Sequence, residues 1–116
     1  MVRRKTDYSV QQKENMRDGD GVVIIENLLT PAELYENGRL FAKMTLHPGA
    51  SIGYHVHDGE MESFYIMSGV AEYSDNGDTV TLLPGDTALN PSGDGHSIKS
   101  IGDTPLELIA VILFKR

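Results

Sequence analysis

Four side chains carry the chemistry that this sequence can do. His55 and His57 stand two apart in a stretch that reads as a strand, so both imidazoles leave the same face. Glu62 follows His57 by five residues, an odd count that would put it on the opposite face of an unbroken strand. The intervening Asp58-Gly59-Glu60 has the composition of a tight reversal, which resets the parity and turns Glu62 inward with Phe64 and Ile66. A carboxylate in phase with two large apolar residues is costly to bury unpaired, so a metal ion or another cation must neutralise it. His96 comes one position after a glycine-rich turn and shares phase with Ile98; alone it reads as a core imidazole. Together the three imidazoles and one carboxylate form a nitrogen and oxygen donor set. Such a set suits one divalent transition metal, Mn, Fe, Co, Ni, Cu or Zn, without selecting among them.

Other residues are weaker candidates. Glu60 stands beside the cluster as a possible acid or base, against its plainer reading as a solvated loop carboxylate. Tyr65 and Tyr54 could donate protons there, although strand tyrosines usually pack with a wet hydroxyl. His47, in the turn before the cluster, reads as a surface residue. Asp86 reads as a turn former, and Asp94, between two glycines, as solvent-facing. Arg39 and Lys43 could bind an anion if their strand face is the inner one, and the alternation with Leu40 and Met44 leaves that open. No glycine-rich phosphate loop and no serine nucleophile signature is present.

The elements that must position these groups are short strands. Val22 to Ile25 is brief and β-branched. Thr30-Pro31-Ala32-Glu33 has the pattern of one capped helical turn, stopped at Gly38. Leu40, Ala42, Met44 and Leu46 alternate at period two up to His47-Pro48-Gly49. Further strands are expected at 63–68, 70–74, 79–83, 87–90, 96–100 and 106–114. Asn76-Gly77 marks a hairpin between two of them. The first twenty residues are polar, lack an apolar period and read as an irregular arm before a barrel over 22–114. The last strand is apolar on both faces after Leu108, which points to a covering layer or a homodimer contact. Closely spaced strands with Gly and Pro turns describe an all-β sandwich or barrel.

Composition bounds the function. The 116 residues provide one ordinary domain. The absence of cysteine removes disulfide scaffolds, thiolate metal sites and Cys nucleophiles. Ten Lys+Arg against seventeen Asp+Glu give a net charge of −7, which argues against a nucleic-acid partner. Half of the cations (Arg3, Arg4, Lys5, Lys13, Arg17) lie in the first seventeen residues, and Arg3-Arg4-Lys5 reads as a solvated face. No apolar run approaches the length that spans a bilayer, and Thr6-Asp7-Tyr8-Ser9 stands where a signal peptide would be apolar. The expected location is the cytoplasm.

Two spaced motifs resemble those of the cupin superfamily. Gly49, His55-Val56-His57, Glu62 and Gly69 match the first. Gly85, Pro91-Ser92-Gly93, His96 and Ser100 match the second, with Ser100 where the family usually shows Asn. The resemblance implies a cupin-type double-stranded β-helix, a jelly-roll barrel of two antiparallel sheets, with His55, His57, Glu62 and His96 as metal ligands in its mouth. It also implies a dimer, and coordination positions left open for water or a small-molecule ligand such as a carboxylate. Ser100 is expected to alter a strand end and leave the metal site intact. Two functions fit: a metalloenzyme of decarboxylase, dioxygenase or isomerase type acting on an oxygen-chelating metabolite, which open positions favour, or a non-catalytic binding module.

Overall fold

The computed structural model describes residues 1–116 as ten strands. These are β1 (Ser9–Glu14), β2 (Val22–Leu29), β3 (Gly38–Leu46), β4 (Ser51–Val56), β5 (Glu60–Ser68), β6 (Ala71–Asp75), β7 (Asp78–Leu82), β8 (Thr87–Asn90), β9 (Gly95–Ser100) and β10 (Leu106–Phe114). Every strand pair is antiparallel. A six-stranded sheet runs β1-β2-β3-β10-β5-β8 and a four-stranded sheet runs β4-β9-β6-β7. The fold is the double-stranded β-helix that the two motifs implied.

Period-two alternation builds the core between the sheets. Ala42, Met44 and Leu46 on β3 face inward with Leu106, Leu108 and Ala110 on β10 and with Phe64 and Ile66 on β5. Ile52, Ile98, Ala71 and Tyr73 close the cluster from the smaller sheet. Full burial of one such Leu or Ile contributes about 1.5–3 kcal/mol. Strand β10 lies between β3 and β5, so Ile109 and Val111 on its outer face are half-buried while its inner face is in the core. At Asn76-Gly77 both residues have positive φ (50° and 100°), the geometry that a two-residue hairpin loop requires between β6 and β7.

The Thr30 turn is capped reciprocally. Glu33 N–H donates to Thr30 Oγ1 at 3.2 Å and Thr30 N–H to Glu33 Oε1 at 3.0 Å. It ends at Tyr35 and Glu36, both left-handed, before Gly38, which opens β3 instead. Arg3 is not simply solvated: its guanidinium meets Glu33 at 2.6 Å and holds that carboxyl at about 2, well below the usual range.

The larger departure from expectation is the N-terminal segment. Ser9–Glu14 is a regular strand, laddered to β2 from Ser9↔Asn27 to Glu14↔Val22. All six residues are exposed, so no apolar period could announce them. The chain then passes through left-handed Asn15, Arg17 and Asp18 and lies across β4. That approach needs glycine on the other side, because a Cβ at Gly53 would run into the carbonyl oxygen of Arg17.

Ser100 sits at the far end of β9 from His96, fully buried, and its hydroxyl has no partner. Two variants should therefore move in opposite directions in urea unfolding. Gly53→Ala should lose about 1–3 kcal/mol by forcing backbone apart. Ser100→Ala should gain about 1 kcal/mol by removing an unpaired buried hydroxyl. A Gly53→Ala protein as stable as the parent would contradict the packing of the arm, and a destabilised Ser100→Ala would show that the hydroxyl is engaged.

Candidate metal centre

Two corrections of strand parity assemble the cluster, and a third brings Arg39 beside it. In the β4–β9 pair Ile52 faces Ile98 and His55 faces His96, so Gly53 and Tyr54 together oppose Ser97 alone. This bulge lets Ile52 enter the core and still turns His55 and His57 inward; a regular strand could not do both. The second reset is the turn at Gly59 (φ 76°), after which Glu62 points in with Phe64 and Ile66, as expected. The third lies between β3 and β10, where Leu40 pairs with Ile112 and Gly38 with Leu113, leaving Arg39 as the extra residue. Arg39 can thereby reach the inner side from a strand whose neighbouring cation, Lys43, faces outward between Glu26 and Glu107.

The donor atoms converge. Nε2 of His55 lies 3.1 Å from Nε2 of His57, and Nε2 of His96 lies 3.2 Å from each. Glu62 Oε1 is 3.1 Å from His57 Nε2 and 3.0 Å from His96 Nε2. His57, Glu62 and His96 are buried, and His55 is half-buried at the cavity wall. A point about 2.2 Å from all three nitrogens exists at these spacings, close to ordinary metal–imidazole bond lengths.

The outward nitrogens orient the rings. His55 Nδ1 donates to the Gly53 carbonyl at 2.7 Å, and His57 Nδ1 donates to Glu60 Oε2 at 2.7 Å. Neither acceptor has a proton to give, so in each neutral ring the N–H is on Nδ1 and Nε2 offers a bare lone pair. His96 Nδ1 is 2.8 Å from the Tyr73 hydroxyl, which can accept from it or donate to it; where His96 donates, Nε2 is presented likewise. With the rings neutral in these tautomers three lone pairs and a carboxylate oxygen face one another, and a positive charge relieves them: a proton, which lets His57 and His96 donate to Glu62 at 3.1 and 3.0 Å, or a metal ion. This donor set can hold a metal ion.

Electrostatics agree. Hydrogen bonding to Glu62 raises His57 above the ordinary imidazole value, against the effect of burial. Burial lowers His55. Burial would raise Glu62, but hydrogen bonds with His57 and His96 outweigh it and hold its carboxyl at about 2. Phe64 stacks on the His96 ring with centroids 5.2 Å apart and planes 12° from parallel.

The remaining sequence candidates separate. Glu60 is at the site, but Arg39 clamps both its oxygens (Nε at 2.8 and 3.1 Å, a terminal nitrogen at 2.8 Å), and this pairing lowers its pKa. Its oxygens are thus shared between Arg39 and His57. Tyr65 is not at the site: alternation on β5 sends it outward between buried Phe64 and Ile66, and it is half-exposed. Tyr54 lies across Gly95, outside the cavity beside the histidines. His47 is exposed. Asp86 orders its turn, accepting the Leu83 N–H at 2.8 Å. Asp94 is half-buried, and its carbonyl accepts the His57 N–H. Sequence reasoning missed Tyr73, although its phase with Ala71 was a usable signal, and gave Arg39 no defined place.

A cavity of about 510 Å³ opens onto His55, His57 and Glu62. Arg39 lines it, and so do Gln11, Lys13 and Arg17 from the N-terminal segment.

Known proteins bear on this geometry. Residues 42–112 match the cupin domain family. The oxalate-binding protein of Thermotoga maritima is 42% identical over 113 residues, 97% of this chain and 93% of that one. A crystal structure described as a predicted oxalate decarboxylase from Thermotoga maritima superposes with a TM-score of 0.95 at 41% identity, covering 99% of this chain and all of that one. The cupin domain of Schizosaccharomyces pombe Cnp3 shares the fold at a TM-score of 0.74 and 20% identity, over 92% of this chain and 70% of its own. With both motifs folded onto one barrel and their four donors meeting at one point, the chain belongs to the cupin family.

Proposed function

We propose that this protein binds a small carboxylate through one divalent transition metal held by His55, His57, Glu62 and His96. The observation that carries the reading is the convergence of three imidazole nitrogens and one carboxylate oxygen within 4.8 Å of one another. When bound, such an ion supplies Lewis acidity and open coordination positions for two ligand oxygens. The chain's own residues do the rest. Glu60 keeps the His57 proton on Nδ1, Arg39 keeps Glu60 ionised, and Tyr73 with Phe64 fixes the His96 ring. Similarity to a protein named for binding oxalate supports a carboxylate as the ligand.

Binding is favoured over catalysis by the state of the proton donors. Glu60 is committed to Arg39 and His57, Tyr73 is buried with its pKa raised by that burial, and Tyr65 is on the outer face. None is a free acid facing the open side of the cluster. Likeness to a predicted oxalate decarboxylase keeps turnover worth measuring.

No helix is long and apolar enough to cross a membrane. An acidic, cysteine-free chain fits the cytoplasm, and the reading includes a homodimer. Phe41, Tyr65, Met67, Leu89, Ile109 and Val111 give the larger sheet an apolar outer face. Equilibrium sedimentation is expected at the mass of two chains; the mass of one would refute the dimer.

Elemental analysis of protein purified without added metal should find one equivalent of a transition metal, and the loaded protein should bind oxalate by calorimetry without releasing product. His55→Ala should weaken metal binding by more than about a hundredfold, and Glu60→Gln, which only orients His57, by about 10–100-fold. Equal metal content in the parent and His55→Ala would sink the ligand assignment, and product formation from oxalate would replace binding by catalysis.

Acid should release the ion because the imidazoles must be neutral to bind. His57, raised by Glu62, admits proton competition from above its ordinary value of 6.5, whereas Glu62 stays ionised to about 2. Loss of metal should therefore follow the imidazoles and be complete well above pH 2; full retention below pH 4 would contradict it.

A further inference from the structure

The ladder between β1 and β2 puts Gln11 opposite Ile25 and Lys13 opposite Val23, and both partners are buried. Residues directly opposite share a face of the sheet, so Gln11 and Lys13 lie on its inner side at the edge. Beyond the strand, Arg17 is held left-handed, a conformation uncommon for arginine, with its backbone against Gly53 beneath the His55 bulge. Both cations line the cavity that opens onto the histidines.

Their charge is uncommitted. Of the charged residues around the cavity, Arg39 is paired with Glu60 and Glu62 belongs to the donor cluster. Lys13 and Arg17 form no ion pair. Glu14 also lines the cavity, but its register with Val22 places it in the opposite strand phase from Lys13. Counting Lys13, Arg17 and Arg39 against Glu14, Glu60 and Glu62, the side chains around the cavity sum to zero, and a divalent ion in the cluster would bring it to +2 inside a chain of net charge −7. A cavity of about 510 Å³ also has room for more than a two-carbon dianion.

We propose that the N-terminal segment makes this a site for 2-oxo or 2-hydroxy acids that carry a second carboxylate. The oxo-acid end chelates at the cluster, and the far carboxylate is held by Lys13 and Arg17. This rests on the carboxylate-binding reading above and extends it to a substrate class. A competing account of Lys13 is that an inward charge on an edge strand only discourages edge-to-edge pairing.

The test compares 2-oxobutyrate with 2-oxoglutarate, which share the chelating end, by calorimetry on the metal-loaded full chain, with oxalate as reference. The diacid should bind about tenfold tighter or better, the scale of one charge-assisted contact, and rising salt should narrow the gap. The double variant Lys13→Gln/Arg17→Gln should erase the preference while leaving metal content, oxalate binding and 2-oxobutyrate affinity within about threefold of the parent, since the chelating end is unaltered. Equal affinities in the parent, or a preference that survives the double variant, would overturn the proposal, and the edge-guard account would stand. Oxalate bound with neither oxo acid bound would also overturn it. Loss of all three ligands from a metal-loaded protein would instead bring down the underlying carboxylate reading.

Discussion

Mutual repulsion among four electron-rich atoms is the constraint on which this structure depends. Three imidazole nitrogens and a carboxylate oxygen within 4.8 Å of one another do not gather unless a positive charge is to sit between them or the surrounding scaffold refuses to let them part. Here the scaffold supplies rigidity on both counts. Each histidine is anchored by its other nitrogen, to a carbonyl, a carboxylate or a phenol, so ring rotation would cost a hydrogen bond. Of the four donor residues, His55, Glu62 and His96 stand on strands of the packed barrel, and His57 directly follows the end of β4.

Strand parity explains which parts of the site were legible in the sequence. The Glu62 reset could be read because its cause, Asp58-Gly59, is a recognisable turn, and the period-two strands around it fixed which face was inner. The bulge at Gly53-Tyr54 left only a glycine as a trace, and the one at Arg39 left none. A bulge is set by what the partner strand does, and neither β9 nor β10 is near these residues in sequence. Arg39 therefore had no assignable face, and its clamp on both oxygens of Glu60 could not be foreseen. Tyr65 failed for the opposite reason. Its alternation with Phe64 and Ile66 had already placed it outside, and its chemistry was weighed ahead of its phase.

The N-terminal segment marks the limit of pattern reading itself. Hydrophobic periodicity detects a strand only when one face is buried, and β1 buries neither. What holds it is the backbone ladder to β2 and the close contact of the following turn with Gly53, both long-range in the folded chain. A polar strand of this kind contributes little to the core, so its composition is free to serve the cavity it borders.

That freedom accounts for the distribution of charge. Acids dominate the chain from Asp58 onward, and they would repel an anion approaching most of the surface. Half of the cations come before residue 18, and the β1 register brings Lys13, with Arg17 just beyond, to the cavity that opens onto His55, His57 and Glu62. An anion entering there leaves a repulsive exterior for an attractive wall. Salt would screen the exterior field over about 8–10 Å and would weaken attraction to the exposed Lys13 and Arg17 as well. The barrel supplies the donor set; the polar edge strand, with no core of its own to fill, brings Lys13 to the wall of the cavity beside it.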